Sequence, residues 1–228
     1  MADFRHIDTW LFDLDNTLYD ANSGVFPQID RNMKRFLMAE FGLAEDAAHA
    51  YQKELYRDYG TTLSGLMTRH SLDPARFLHH VHDIDLAELG PDEHLIAALK
   101  RLPGRKAIFT NASARHAENV AAKLGILDQF DAIFDIVSAD YQPKPHISAY
   151  EKTLKHYGVE GRRAAMFEDL KRNLVPAAAL GMTTVWIAND AAWSHANAGV
   201  PDDIDEHVHH TIDALSHFLH SIELGAAE

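Results

Sequence analysis

Thr9-Trp10-Leu11-Phe12-Asp13-Leu14-Asp15-Asn16-Thr17-Leu18-Tyr19 is the stretch that decides the fold. The apolar run Trp10 to Phe12 predicts a short buried strand, and it leads directly into two aspartates spaced i, i+2. In an extended chain, residues two apart point to the same side, so Asp13 and Asp15 converge on one small volume. Two carboxylates placed so repel each other unless a cation or a proton lies between them. They stand at the carboxyl end of the predicted strand, which is where open α/β sheets bind their ligands. Asn16 and Thr17 add polar groups at the turn.

Working outward, four more β-rich or apolar runs follow: Lys106 to Thr110, Ala132 to Val137, Ala164 to Phe167 and Thr183 to Ile187. With Ile7 to Phe12 they predict five strands. Ala114 to Leu124, Ile147 to Tyr157 and Leu174 to Leu180 carry apolar residues at helical spacing, and each stops at a glycine (Gly125, Gly158, Gly181), the residue suited to ending a helix. Strand–helix alternation of this kind predicts an α/β fold, a Rossmann-like doubly wound parallel sheet with helices on both faces. The tail pattern Ile212, Leu215, Phe218, Leu219 and Ile222 predicts a terminal helix, with Gly225 to Glu228 frayed.

Between residues 20 and 87 the pattern changes. Helical periodicity runs through Phe26 to Phe41, Ala44 to Tyr59, Leu63 to His70 and Pro74 to Val81, with no strand pattern between them. A block of that size exceeds what a simple crossover needs. The expected organisation is an α/β core from residues 1–19 and 88–228, interrupted by a helical domain of residues 20–87.

Composition narrows the function classes. The formal net charge is −13 with no Lys/Arg block, which argues against a nucleic-acid partner. No apolar run approaches the roughly 20 residues that span a bilayer, and the first residues lack the pattern of a signal peptide, so a cytoplasmic location and no membrane partner are expected. There are no cysteines, so thiolate metal sites and a cysteine nucleophile are excluded. The groups His79-His80-x-His82 and His207-x-His209-His210 are expected on the solvated surface rather than at a metal.

The remaining chemical candidates fall at the ends of predicted strands. Thr110-Asn111-Ala112-Ser113 offers hydroxyl and amide groups before a helix start, a combination suited to a phosphate or to simple capping. Lys144 lies between Pro143 and Pro145, whose rings restrict the backbone on either side. Glu168-Asp169, followed by Asn173, is a second carboxylate pair at a strand end. With Asp13 and Asp15 it offers the hard oxygen ligands that Mg²⁺ prefers.

The ordered set D-x-D-N-T-L, Thr, P-K-P and E-D-x-x-x-N resembles the four motifs of the haloacid dehalogenase superfamily, over about residues 7–20 and 90–190. That resemblance implies the following roles. Asp13 is the nucleophile and forms an aspartyl-phosphate; Asp15 is the general acid and base. Thr110 and the Asn111 backbone bind the phosphoryl group, and Lys144 holds Asp13 and the phosphate in register. Mg²⁺ is bound by Asp13, Asp169 and the Asp15 backbone carbonyl, while Glu168 and Asn173 support the site. The dehalogenase branch lacks the second aspartate, so Asp15 points to phosphoryl transfer. The helical block sits where this superfamily carries a lid called the C1 cap.

Two strings resemble the pyrimidine 5′-nucleotidase subfamily: Asn16 within D-N-T-L-Y, and the cap segment Asp58-Tyr59-Gly60-Thr61-Thr62-Leu63-Ser64-Gly65-Leu66. On this reading the substrate is a small phosphate ester, a nucleoside 5′-monophosphate. Tyr19 and Tyr59 stack on the base, and Gly60, Thr61 and Thr62 meet base or ribose. The alternatives are a broad small-metabolite or sugar-phosphate phosphatase, a mutase resembling β-phosphoglucomutase or, last, a non-catalytic binding protein, which the intact Asp13, Asp15 and Lys144 disfavour. The cap segment also reads as a helix–turn–helix joint with Thr62 as N-cap and Tyr59 packed in the cap.

Overall fold

The computed structural model describes residues 2–189 and 205–225. Its centre is a six-stranded sheet in the order β3-β2-β1-β4-β5-β6, with every pairing parallel. The strands are β1 (Thr9–Phe12), β2 (Arg105–Phe109), β3 (Ala132–Phe134), β4 (Ala164–Glu168), β5 (Thr183–Ile187) and β6 (His210–Ile212). The helices are α1 (Val25–Phe41), α2 (Glu45–Tyr59), α3 (Thr62–His70), α4 (Pro74–Val81), α5 (Glu93–Arg101), α6 (Ala114–Lys123), α7 (Ile147–Tyr157), α8 (Lys171–Ala179) and α9 (Leu215–Ser221).

Because β1 is central and covered on both faces, all four of its residues are buried, as parallel strands require. Successive side chains alternate between two cores. Trp10 and Phe12 pack with α5, α6 and α9, whereas Leu11 packs with α7 and α8. The doubly wound sheet expected from the alternating pattern is therefore present.

Two expectations about the chain's second half need correction. Ile212 belongs to a sixth strand, not to the terminal helix, which starts at Leu215. The run His210-Thr211-Ile212 is too short and polar to register as a strand alone; pairing with Val185–Ile187 makes it one. Helix α5 was also not foreseen. Part of the segment before the tail and the last three residues, 226–228, lie outside the described residues.

Helices α1 to α4 build a third hydrophobic cluster of their own. Ile29, Phe36, Leu37, Leu55, Leu66 and Phe77 are buried in it, and Ile136 from the loop after β3 joins them. The first turn of α1 is tied to the segment that returns to the sheet: Gln28 Nε2 donates to the Asp85 carbonyl at 2.9 Å, and the Asp85 N–H donates to Gln28 Oε1 at 3.0 Å. Among the described residues, no helix is long and apolar enough to cross a membrane.

Candidate active site

Parallel registry sets the site. Phe12 pairs with Ile108 on one side and Phe167 on the other, so the next residue, Asp13, comes level with Phe109 and Glu168 where the three strands end. The Asp13 N–H still donates to the Phe167 carbonyl at 2.9 Å, which fixes the aspartate at the sheet edge. Beyond it the chain turns, and Asn16 adopts a left-handed φ of 66°. Among non-glycine residues, asparagine enters that region most readily.

Lys144 is 1 % exposed, and its three ammonium protons have three acceptors. Nζ lies 2.6 Å from Asp13 Oδ1, 2.7 Å from the Phe109 carbonyl and 2.8 Å from Glu168 Oε2. The loop that carries it is gripped by Asn111. The Asn111 side chain donates to the Lys144 carbonyl at 3.0 Å and accepts from the Lys144 N–H at 2.7 Å. Burial works against a charged Lys144, but the two carboxylates outweigh it and raise its pKa. The lysine is thus held charged.

One lysine does not balance the acids around it. Ligand oxygens of Asp13, Glu168 and Asp169 lie within 4.8 Å of one another, and all three residues are buried. Burial, then the Glu168 charge, raises the pKa of both Asp13 and Asp169. Three carboxylates against one ammonium leave a deficit of positive charge at a site of hard oxygen donors. A divalent cation taking carboxylates and water fits that deficit. Asn173 Oδ1 is also buried, and no hydrogen-bond partner satisfies it among the described residues; an ordered ligand or water would do so.

Asp15 has a different environment. Burial would raise its pKa, but the His116 imidazole, hydrogen-bonded to it, and the Tyr19 hydroxyl reverse the sign and lower it. Thr110 is buried at the end of β2, where its Oγ1 accepts from the Ala112 N–H at 3.0 Å.

A cleft of about 190 Å³ opens over these groups. Its floor is Asp13, Asp15, Thr110, Asn111, Lys144, Glu168, Asp169 and Asn173, so the strand-end residues picked from the sequence are brought together. Its roof comes from the helical layer and is mostly apolar, with Phe26, Ile29, Met33, Phe77, Leu78 and Val81. Thr61 and Thr62 reach the cleft; Tyr59 and Gly60 do not. They line a separate surface groove with Asp140 and Tyr141, and the Tyr59 hydroxyl accepts from Arg69 Nε at 3.0 Å. Tyr19 also lies outside the cleft lining, because its hydroxyl donates to Asp15 at 2.6 Å. Gly60, with φ 81°, ends α2. Thr61, not Thr62, caps α3 by accepting from the Ser64 N–H at 3.1 Å.

Other cleft residues were not foreseen. Tyr56 stands on α2 one helical turn before Tyr59, and the Arg172 guanidinium lies 4.4 Å over its ring. Gln52 and Lys53 line the same wall. His82 and His116 meet face to face beside Asp15, with centroids 4.3 Å apart. His82 therefore departs from the expected solvated surface, whereas His79 and His80 are exposed. Burial, then His116, pushes the His82 pKa down to about 3. His116 has no sequence spacing that sets it apart from the other histidines of the chain, and the His79-His80-x-His82 spacing does not single out His82.

Comparison with known proteins agrees with this geometry. The profile of the haloacid dehalogenase-like hydrolases matches residues 7–181. Phosphate metabolism protein 8 of Saccharomyces cerevisiae is 28% identical over 189 residues, which is 76% of this chain and 59% of that protein. The chain thus spans about three-fifths of that relative's length. A HAD phosphatase from Thermococcus onnurineus superposes with TM-score 0.60 at 17% identity, over 93% of this chain and 96% of that one. The L-2-haloacid dehalogenase of Xanthobacter autotrophicus, with chloropropionic acid covalently bound, superposes with TM-score 0.58 at 15% identity, over 94% and 97%. At those identities the two structures bear on the fold alone. The sheet, its strand-end acids and the matched profile together make this chain a member of the haloacid dehalogenase-like hydrolases.

Proposed function

We propose that the protein is a Mg²⁺-dependent phosphomonoester hydrolase acting through an aspartyl-phosphate on Asp13. The observation that carries this reading is the pairing at the sheet edge. Asp13 is held by Lys144 within a carboxylate cluster, and two residues on stands Asp15, an acid with no counterpart to hold in carbon–halogen cleavage. A carboxylate nucleophile divides a hard displacement into two easier ones. Asp13 attacks phosphorus, and Asp15 protonates the departing oxygen and later takes a proton from water. Thr110 and the Asn111 backbone receive the phosphoryl oxygens. Lys144 holds Asp13 in place and offsets negative charge as it builds up. Asp13, Asp169 and the Asp15 carbonyl would hold Mg²⁺, which when bound stabilises charge on the transferring group.

We read α1 to α4 as a cap over this site, and the cap wall supports a nucleoside monophosphate as substrate. A sugar would need several polar partners, whereas the roof offers mainly Phe26, Ile29, Met33, Phe77, Leu78 and Val81. An apolar wall beside Tyr56 suits the face of a base, and Gln52, Thr61 and Thr62 supply the few polar groups. The pyrimidine preference rests on the D-N-T-L-Y and cap strings.

Phosphate release with Mg²⁺ should be assayed on UMP, CMP, dUMP, AMP, GMP, phosphoglycolate and hexose phosphates, with Asp13→Asn as blank. Preference for pyrimidine monophosphates, lost in the variant, is expected. Preference for hexose phosphates would overturn the reading of the cap and leave the chemistry standing. Release that survives Asp13→Asn would overturn the chemistry.

A further inference from the structure

Asp15 is held by one oxygen from two directions. Its Oδ1 accepts the Tyr19 hydroxyl at 2.6 Å and lies 2.9 Å from His116 Nε2. Oδ2 has no hydrogen bond among the described residues. An oxygen already accepting two hydrogen bonds has little capacity left for a proton of its own, so a proton on Asp15 belongs on Oδ2. Asp15 lines the cleft, and with Oδ1 covered, Oδ2 is the oxygen left to face a substrate.

His116 is suited to hold this orientation. It is 2 % exposed, in the first turn of α6 immediately after the end of β2. Its N–H donates to Ser113 Oγ at 3.4 Å, and the same Oγ lies 3.1 Å from His82 Nδ1. His82 ends α4, in the helical layer, and its ring stacks on His116 with 13° between the planes. His82 of the cap is therefore linked to Asp15 through the His116 ring.

We propose that His116 is a positioning residue: with Tyr19 it clamps Oδ1 of Asp15 so that Oδ2 points its proton at the leaving oxygen, and His82 makes the clamp depend on the cap's position. The proposal rests on the reading of Asp15 as the acid. In the first half-reaction the bond from Asp13 to phosphorus forms as the bond from phosphorus to the ester oxygen breaks, and the proton passes from Oδ2 to that oxygen. In the second, water bonds to phosphorus, Asp13 departs and the water proton returns to Oδ2.

The clamp has a signature that core packing lacks. A leaving alkoxide needs the proton; nitrophenolate does not. We would measure the single-turnover rate of leaving-group release, which reports the first half-reaction alone, for UMP, glycerol phosphate and p-nitrophenyl phosphate with the wild type, His116→Ala, His116→Gln, Tyr19→Phe, His82→Ala and Asp15→Asn. General acid catalysis contributes roughly 10²–10⁴-fold. A loosened acid should lose part of that, so His116→Ala and Tyr19→Phe should slow this release from the alkyl esters about 10–100-fold. On p-nitrophenyl phosphate the release step should slow by less than about threefold, because its leaving group needs no proton. His116→Gln, which keeps a donor at similar reach, should recover most of the loss, and His82→Ala should show the same selectivity at smaller size. Equal losses on all three esters, no loss, or no rescue by glutamine would overturn the proposal. Should His116→Ala fail to fold, Tyr19→Phe removes one oxygen only and decides the question. If Asp15→Asn shows no such selectivity, the acid assignment itself fails; if it does and the clamp variants do not, only the clamp fails.

Discussion

The floor and the roof of the cleft are built by opposite chemistry. The floor is ionic and hydrogen-bonded: Lys144, from the loop after β3, bonds Asp13 and Glu168 at the ends of β1 and β4, with Asp169 beside them. The roof is a helical layer whose cleft-facing side chains are mainly apolar, with Tyr56, Gln52 and Thr62 among them. On the proposed function, the floor moves protons and phosphoryl oxygens, and the roof sorts what is attached to the phosphate. Substitutions in the floor should therefore change the rate on every substrate, and substitutions in the roof should change the ranking of substrates.

The largest effect should come from Lys144→Ala. Removing the ammonium that bridges two buried carboxylates leaves them facing each other, and breaking a buried pair costs about 3–5 kcal/mol. We expect loss of turnover on every ester together with a clearly lowered Tm. A variant with unchanged Tm would mean the cluster is already neutral without the lysine.

Metal dependence should follow pH. Asp13 and Asp169 have folded-state pKa values above those of the unfolded chain. Their contribution to stability is therefore full below the ordinary carboxylate pKa of about 4 and is lost as pH rises through the folded values. At neutral pH the repulsion is greatest and Mg²⁺ should raise Tm most. As pH falls toward the carboxylate range, protons replace the cation and the gain should shrink. His82 is common to the samples with and without metal, so its own titration cancels in the difference. A Mg²⁺ effect on Tm that is absent or independent of pH would separate the acids from metal binding.

In the roof, Tyr56→Ala should raise KM for UMP by about tenfold, the order expected when a stacking contact of about 1 kcal/mol or more is lost. It should leave kcat on p-nitrophenyl phosphate nearly unchanged. Tyr59→Phe should alter neither by more than about twofold, since a surface change away from the cleft carries little energy. If Tyr59 mattered more than Tyr56, the assignment of the cleft wall would be wrong.

That contrast also explains what the sequence made legible. Asp13, Glu168 and Asp169 could be read because a parallel strand delivers its last residues to one edge of the sheet whatever the loops do, and Lys144 because the flanking Pro143 and Pro145 mark its loop. The helical layer could be read as helices, but not as a wall. Which turn of α2 faces the cleft is set by how the layer sits on the sheet, so Tyr56 lies inside and Tyr59, three residues later, lies outside. The Gly60-Thr61 pair turned out to be helix-joint chemistry, a left-handed glycine followed by an N-cap. Asn16 likewise has a backbone reason, its φ of 66°, so the D-N-T string is weaker as a mark of substrate than it looks. His116 was illegible because it stands inside the first turn of α6 with no cap, turn or motif residue to mark it, and only the fold brings it 2.9 Å from Asp15. The smallest effect we predict follows from this: Asn16→Gly should keep the substrate ranking, and a reversed ranking would restore Asn16 as a specificity residue.

The central claim is covalent chemistry on Asp13, and trapping that bond tests it most directly. Asp15→Asn enzyme with Mg²⁺ should be mixed with p-nitrophenyl phosphate, quenched in acid, digested and analysed by mass spectrometry. Because nitrophenolate leaves without a proton while the second step still needs a base, the phosphoryl group should accumulate on the peptide carrying Asp13. Nitrophenol release with no phosphorylated Asp13, or with the phosphoryl group on another residue, would contradict the account.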